Sequence, residues 1–512
     1  MKKYLFIILS LALAQLSATA QTQNIYDAFI ASANELNGTA RFMGVGGAMG
    51  ALGGDASTIF YNPAGIGIYK SSEVTISANI NWDNTSLLNS NSFYNTYNTD
   101  TNIDLQHVAY VGTWNFEENK NLLNFNVGVA YNQSKKFSRT GRYDGNQAHS
   151  YTQWLAAYTD GINIKDLQNV DAYHDSYIPW ASIIGYDSYL IEKSLISDSR
   201  YRSLYDLNGG SAVNQNIKFE ENGSANDFAI SFAGNFNNLI YWGMSFEYDY
   251  TSYGRTTIFQ ETFADQSVYT LHNTYALEAS GFTYKIGLIA KPVSWLRIGA
   301  ALHTPTWYSI KDYSSSNCTF NTYDFDGAKH IDFTETPSSV GRTTMSGPLK
   351  VIGSLGFVIG KLGFVGVDYQ YENSAAINGN NNEIKNLYSM DLADRHIIRV
   401  GAEIKPLENL SLRIGGGITT PAAKENLYRG YYPDDARTDT DYYNEKLSYN
   451  ITAGAGYRIG RHSIDLAYVW QVNEANYYSY TPSYGSFQAA NFEPIGMRSV
   501  RNQLVLTYSA RF

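Results

Sequence analysis

The chain has 512 residues, of which 15% are aromatic and 16% charged, and its formal net charge is −10. An acidic chain disfavours nucleic acid as a partner, and a lone cysteine, Cys318, excludes an internal disulfide framework and any multi-cysteine metal site. Because charged residues fall well below the roughly 25% of ordinary soluble domains, the composition favours a chain in which polar and apolar residues alternate, as in a membrane barrel.

The first twenty residues have the form of a secretory signal. Two lysines precede an apolar stretch from Tyr4 to Leu16, and Ala18-Thr19-Ala20 follows. The apolar stretch is about 13 residues long, short of the roughly 20 that a membrane-spanning helix needs. We expect residues 1–20 to be removed as a signal peptide, so that the exported chain starts at Gln21.

The next region, residues 21–72, is unsuited to strand formation. Its centre, GTARFMGVGGAMGALGGDASTIFYNPAGI (38–66), is dense in glycine and alanine, which permit tight turns and close packing. Asp55 or Ser57 is expected to cap a short helical piece, and Asn62-Pro63 to break one. The glycines miss the G-x-G-x-x-G spacing of a nucleotide-binding loop. A flexible periplasmic tail is the alternative, although side chains such as Phe42 make the region too apolar for a solvated linker.

From about residue 73 the chain consists of segments of roughly 10–14 residues with alternating polarity. In LIYWGMSFEYDY, for example, Trp242, Met244 and Phe246 share one face, and Gly243 and Ser245 the other. Fourteen such segments begin near residues 73, 102, 121, 226, 239, 276, 294, 346, 361, 395, 409, 445, 461 and 499.

The links between these segments alternate strictly in length. Short links such as NFNN, KPVS and GR follow the even-numbered segments, and long ones follow the odd-numbered segments; the longest covers residues 134–225. Short periplasmic turns and long external loops are typical of outer-membrane barrels, whereas a soluble sandwich has no reason to segregate its loops.

We therefore predict an all-β protein: residues 73–512 form a transmembrane antiparallel β-barrel of about 14 strands, and residues 21–72 fill its lumen as an N-terminal hatch. The expected location is the outer membrane of a Gram-negative bacterium, in contact with lipid and lipopolysaccharide. The terminal Phe512 resembles the signal that such proteins present to the barrel-assembly machinery. Charges of mixed sign on the lumenal face favour neither a cation- nor an anion-selective pore, and we expect a monomer.

The stretch GGDASTIFYNPAG (53–65), which follows GTAR…GGAMGA behind a signal peptide, resembles the N-terminal hatch of FadL-type outer-membrane transporters. The Asn-Pro-Ala element of that family falls on Asn62, Pro63 and Ala64. The resemblance implies passive, hatch-gated diffusion of hydrophobic small molecules such as long-chain fatty acids or aromatic hydrocarbons. It places gating at Asp55, Asn62, Pro63, Ala64 and Gly65, and implies no catalytic residue, metal or cofactor.

The ligand-capturing region is left open, because the 134–225 segment is longer than the family leads one to expect. Its apolar stretches, 151–170 and 176–196, offer Trp154, Tyr158 and Trp180 as candidate ligand contacts. Alternatively, these stretches pack on one another as a rigid cap.

A haem or haemin receptor is the main alternative function. Haem binding would require an axial histidine or tyrosine, and His149 and His174 are the histidines of the long loop.

Overall fold

The computed structural model describes residues 25–88, 98–116, 121–174, 177–379, 392–425, 427–430, 435–489 and 492–512. The predicted signal peptide lies outside these residues. None of the described helices has the length and apolar character needed to cross a membrane.

Fourteen strands among the described residues form one antiparallel sheet, and most begin within a few residues of a predicted segment. Two of them, β7 and β8, are each interrupted by a proline-containing tripeptide, at 304–306 and 347–349. The strands are β1 (Glu73–Leu88), β2 (Asn98–Asn115), β3 (Leu122–Gln147), β4 (Val213–Phe236), β5 (Ile240–Thr262), β6 (Val268–Val293), β7 (Leu296–His303 and Trp307–Tyr323), β8 (Ser339–Ser346 and Lys350–Ile359), β9 (Gly363–Glu372), β10 (Arg395–Leu407), β11 (Leu410–Thr419), β12 (Ser448–Ile459), β13 (His462–Tyr478) and β14 (Ile495–Arg511).

The sheet closes into a barrel. Successive strands pair with each other, and β1 pairs with both β2 and β14. Closure leaves no unpaired edge, which is the condition for strands to cross a bilayer. Along β5, Phe246 and Tyr248 are exposed, whereas Ser245 and Glu247 are buried. The predicted faces are therefore confirmed: the apolar side chains point outward to lipid and the polar ones inward.

Exposed aromatic side chains mark both ends of the apolar belt. Tyr250 and Tyr369 lie toward the long loops, and Trp114, Phe236 and Trp295 toward the short turns. Such girdles sit at the two membrane interfaces. Together with the closed sheet, they define an outer-membrane barrel.

The predicted loop at 134–225 is shorter in the structure. Residues 134–147 and 213–225 continue β3 and β4, which pair along this whole length beyond the apolar belt. The loop itself covers residues 148–212. Alternation did not reveal these extensions, because outside the membrane neither face of a strand has to be apolar.

The inner segment, residues 25–72, lies inside the barrel. It contains α1 (Ile25–Ala31), α2 (Ala40–Gly44) and two 3₁₀ helices, Ala56–Phe60 and Pro63–Ile68. From α1, in the outer half of the barrel beside Tyr253 and Tyr275, the chain descends past Ser134, which accepts a hydrogen bond from the Glu35 backbone. The remainder of the segment crosses the lumen below.

Residues 148–212 form a cap over the external end. It contains α3 (Tyr151–Thr159), α4 (Ile164–Leu167), a 3₁₀ turn (Ala172–His174), α5 (Trp180–Asp187), a hairpin (Ile191–Lys193 and Tyr201–Ser203) and α6 (Leu204–Leu207). Ser150 starts α3 through a capping box with Gln153, and it also donates a hydrogen bond to the buried Glu261 at the end of β5. The cap is therefore fixed to the barrel wall.

The remaining regular pieces are short. Lys329–Glu335 extends the sheet outside the membrane beside β7, and Tyr442–Glu445 pairs with the end of β13. The others are Ser374–Ala376, Asn378–Gly379, Ser483–Tyr484 and Phe487–Gln488.

Candidate functional site

The turns of the inner segment are held by two side-chain caps, of which the sequence predicts the one at Asp55. At Asn62-Pro63 the sequence predicts a break, and the first 3₁₀ helix ends just before it, at Phe60. Asp55 caps the 3₁₀ helix that follows it, accepting a hydrogen bond from the Ser57 backbone at 3.0 Å, and it also accepts hydrogen bonds from the Thr39 hydroxyl. Asn62 caps the next helix, in which Pro63 occupies the first turn. Short polar side chains at these positions satisfy backbone N–H groups that the helix leaves unpaired.

Asn62 also ties the inner segment to the wall. Its side-chain amide donates hydrogen bonds to the Gly50 carbonyl at 2.6 Å and to the Leu288 carbonyl of β6 at 3.3 Å. Ala64 is fully buried in a small apolar cluster with Tyr241 and Ile289. Gly65 accepts the Gly54 N–H. Asn62, Pro63 and Ala64 thus lie together against β5 and β6, whereas Asp55 contacts Thr39 and Ser57 within the inner segment. The gating role of these residues stays a prediction.

Glycines on the lumenal face let the inner segment approach the strands. A Cβ atom added at Gly243 would lie 2.3 Å from the Pro63 carbonyl carbon, and one at Gly401 would lie 2.0 Å from the Val45 oxygen. Backbone therefore packs directly on backbone, which a larger residue would prevent. These wall glycines come from nine strands: Gly128, Gly243, Gly287, Gly299, Gly356, Gly366, Gly401, Gly415 and Gly454.

A lumenal cavity of about 260 Å³ lies above the 3₁₀ helix Ala56–Phe60 of the inner segment. Phe60 and Tyr61 line its floor and α1 lines it higher up, where Phe29 and Ile30 contribute apolar surface. Much of the remaining lining is charged: within the described residues, twelve carboxylates and twelve lysine or arginine side chains contribute to it. The lining is therefore balanced in sign, in keeping with the mixed lumenal charges expected from the sequence.

Most of these charges are paired. Arg255 binds Glu221 and Asp441, and Arg501 binds Asp83 and Glu35. Buried charges require such partners, because an isolated one carries a large desolvation cost.

One ion pair connects α1 to the link between β11 and β12. Arg437 donates to both carboxylate oxygens of Asp27 at 3.0 Å, and Tyr275 donates to the same carboxylate at 2.6 Å. Burial alone would raise the pKa of Asp439, but the guanidinium groups of Arg429 and Arg437 hold it well below its usual range. The described part of the link between β11 and β12 therefore lines the cavity, and the Arg437–Asp27 ion pair attaches it to α1 at the start of the inner segment.

The residues suggested for ligand capture lie in the cap. Trp154 is fully buried, its ring centroid 4.9 Å from that of Tyr158 and 5.4 Å from that of Tyr151. Trp180 packs at the edge of the same cluster, against Tyr173. None of the three suggested residues lines the lumenal cavity. They pack within the cap, and their contact with a ligand stays a prediction.

The histidines proposed for haem also lie away from the lumenal cavity. His149 is half-buried beside Phe487, and His174 is exposed on the cap. Among the described residues, the histidine that lines the cavity is His303, whose Nε2 is hydrogen-bonded to the Tyr61 carbonyl at 2.7 Å. We find no observation that favours a haem site.

The geometry defines a class of protein: a closed outer-membrane barrel whose lumen is filled by its own N-terminal segment. The sequence matches no family model and no curated protein. Among solved structures, the fold is similar to that of a Pseudomonas aeruginosa FadL homologue, with a TM-score of 0.52, 12% identity, and coverage of 94% of this chain and 99% of that one.

The Pseudomonas putida toluene transporter TodX is similar at a TM-score of 0.50 and 12% identity, with 93% of this chain and 99% of that one covered. At 12% identity, the similarity to these two structures establishes the fold and nothing more specific. The chain therefore has the fold of the FadL-type transporters, as the stretch at 53–65 predicts.

Proposed function

We propose that this protein is a passive transporter of hydrophobic small molecules, such as long-chain fatty acids or aromatic hydrocarbons, and that the inner segment is its hatch. The observation that carries the proposal is the lumenal cavity directly above an inner segment that packs against the wall glycines. A ligand in this cavity reaches the periplasm after the inner segment moves or after the ligand leaves through the wall. The solved structures of similar fold, a toluene transporter and a FadL homologue, support the same class of cargo.

The driving force needs no energy source. Removing an alkyl chain from water is worth about 0.8 kcal/mol per methylene group, so apolar surface such as that of Phe29, Ile30 and Phe60 in the cavity retains such a ligand. Most charges around the cavity are paired with one another, and an alkyl chain or aromatic ring offers them no competing partner. Transport is then diffusion between successive sites.

The test is uptake into liposomes that carry the purified mature protein. A long-chain fatty acid, a monoaromatic hydrocarbon and haemin are compared, with the wild type and with a variant in which Asn62→Ala and Pro63→Ala are combined. We expect saturable transfer of the fatty acid or the hydrocarbon, at a rate that changes in the variant because the Asn62 bonds to Gly50 and Leu288 are lost.

The matched control is Gly353→Ala, since a Cβ atom added at Gly353 meets nothing within 4 Å. This variant is expected to behave like the wild type. Equal transfer by protein-free liposomes would contradict the proposal, and tight haemin binding without transfer of either apolar compound would replace it with the haem receptor.

A further inference from the structure

Three carboxylates converge at the edge of the lumenal cavity. Asp227 on β4 and Glu247 and Asp249 on β5 are all buried, and one oxygen of each lies within 4.8 Å of the others. All three line the cavity, so a solute in the lumen has a path to them.

The arrangement is electrostatically unfavourable without a cation. Asp227 and Asp249 stand directly opposite each other in the β4–β5 pairing, where like charges destabilise a sheet. Direct compensation comes from Lys285, which donates to Glu247 and to the Phe60 carbonyl of the inner segment. The nearby Lys350 is paired with Glu372 at 3.7 Å. Three carboxylates thus share one ammonium group.

One carboxylate of this cluster has an unused acceptor. Asp249 is 7% exposed; its Oδ2 accepts a hydrogen bond from Thr283, while its Oδ1 is buried without a hydrogen-bond partner among the described residues. Asp227 accepts one from Ser134 at its Oδ1. A buried carboxylate oxygen without a partner carries a desolvation cost that a bound cation would offset.

We propose that Asp227, Glu247 and Asp249 bind a hard divalent cation, with Ca²⁺ the best fit. The donors are all oxygens, which Ca²⁺ and Mg²⁺ prefer. Ligand distances of about 2.3–2.6 Å keep the oxygens around one Ca²⁺ ion no more than about 5.2 Å apart, and the three carboxylate oxygens lie within 4.8 Å of one another. Mg²⁺ demands a tighter octahedron at about 2.0–2.1 Å.

The site has a consequence for the inner segment. A cation on Glu247 competes with Lys285 for the same carboxylate, and Lys285 also holds the carbonyl at the end of the 3₁₀ helix Ala56–Phe60. Cation binding therefore alters a contact between the wall and the inner segment. Binding itself does not depend on what the barrel transports.

The experiment is calorimetric titration of CaCl₂ into the full mature protein, refolded into detergent free of lipopolysaccharide and treated with a chelator. We expect one Ca²⁺ per chain in the wild type. The affinity should fall at least tenfold in Asp249→Asn and in Asp227→Asn, and it should be unchanged in Asp332→Asn, which removes an exposed carboxylate of the external hairpin.

Folding is verified for every variant by heat-dependent gel mobility. Absence of saturable Ca²⁺ binding in the wild type, or equal affinity in the folded cluster variants, would overturn the assignment. Butylammonium chloride is titrated in parallel, and binding of this amine without binding of Ca²⁺ would also overturn it, in favour of an organic ammonium ligand.

Discussion

Substitution of one wall glycine tests whether the inner segment governs passage through the barrel. At Gly243, an added Cβ atom would lie 2.3 and 2.4 Å from the carbonyl carbon and oxygen of Pro63, and 2.5 Å from the Ala64 nitrogen. These are backbone atoms, so no side-chain rotation relieves the overlap. Restoring ordinary contact requires a shift of the inner segment of about 1 Å, since non-bonded carbon atoms prefer about 3.5–4.0 Å.

Overpacking of this kind costs about 1–3 kcal/mol. If the cost falls on the seated position of the inner segment, the population of displaced segments rises about 5- to 150-fold. The assay is single-channel conductance in planar bilayers together with ligand uptake into liposomes. We expect Gly243→Ala to show more frequent open events and faster uptake than the wild type.

The control is again Gly353→Ala, the same chemical change on a strand position with open space around it. Intact barrels are verified for both variants by heat-dependent gel mobility. If folded Gly243→Ala has the conductance and the uptake of the wild type, the inner segment is not the barrier, and the gating argument fails.

Three further predictions concern the external loops and the contact that α1 makes with them. Asp27→Asn should lower the free energy of unfolding by up to about 3 kcal/mol, because Arg437 loses its bond to Asp27 and keeps only the one to Asp439. In thermal unfolding, the effect of Asp27→Asn should disappear when Arg437 is replaced by Met. Burial raises the pKa of Asp435 to about 6 against the opposing effect of its arginine neighbours, so the folded form binds a proton more readily, and its contribution to stability falls as pH rises from about 4 to about 6 and stays low above that. The difference between wild type and Asp435→Asn should follow this course and reach roughly 3 kcal/mol; a flat difference would refute the assignment. Trp154→Ala should cost the cap about 3–5 kcal/mol and expose residues 148–212 to limited proteolysis while the barrel stays intact; resistance equal to the wild type would show that the cap does not depend on this cluster.

Sequence alone was informative wherever the membrane imposes a rule. Alternation along β5 predicts which residues face lipid, because a bilayer accepts no polar face. The capping role of Asp55 follows from the sequence too, since a cap depends on residues two or three positions away, whereas Asn62-Pro63 predicts only a break between helical pieces. Beyond the apolar belt this constraint ends, so alternation does not predict the extensions of β3 and β4.

The wall glycines are visible in the sequence as small residues on the polar faces of strands, but alternation alone does not indicate what they contact. The alternation places Gly243 on the polar face of its strand, but as a small residue rather than as a contact. The role of the wall glycines depends on a segment up to a few hundred positions earlier in the chain, whose path across the lumen no local pattern specifies. Asp27 and Arg437, which form an ion pair, are likewise far apart in the sequence, at a separation of 410 residues.

The sequence by itself thus determined the architecture: an exported barrel of about fourteen strands, with a small-residue segment before it, because lipid contact and helix capping act over a few residues. Tertiary structure decided the content of the lumen: the fit of the inner segment on the wall glycines, the paired charges of the cavity, and the meeting of Asp227 with Glu247 and Asp249. Those features arise where strands pair and close, and strand pairing brings together residues that are distant in the chain.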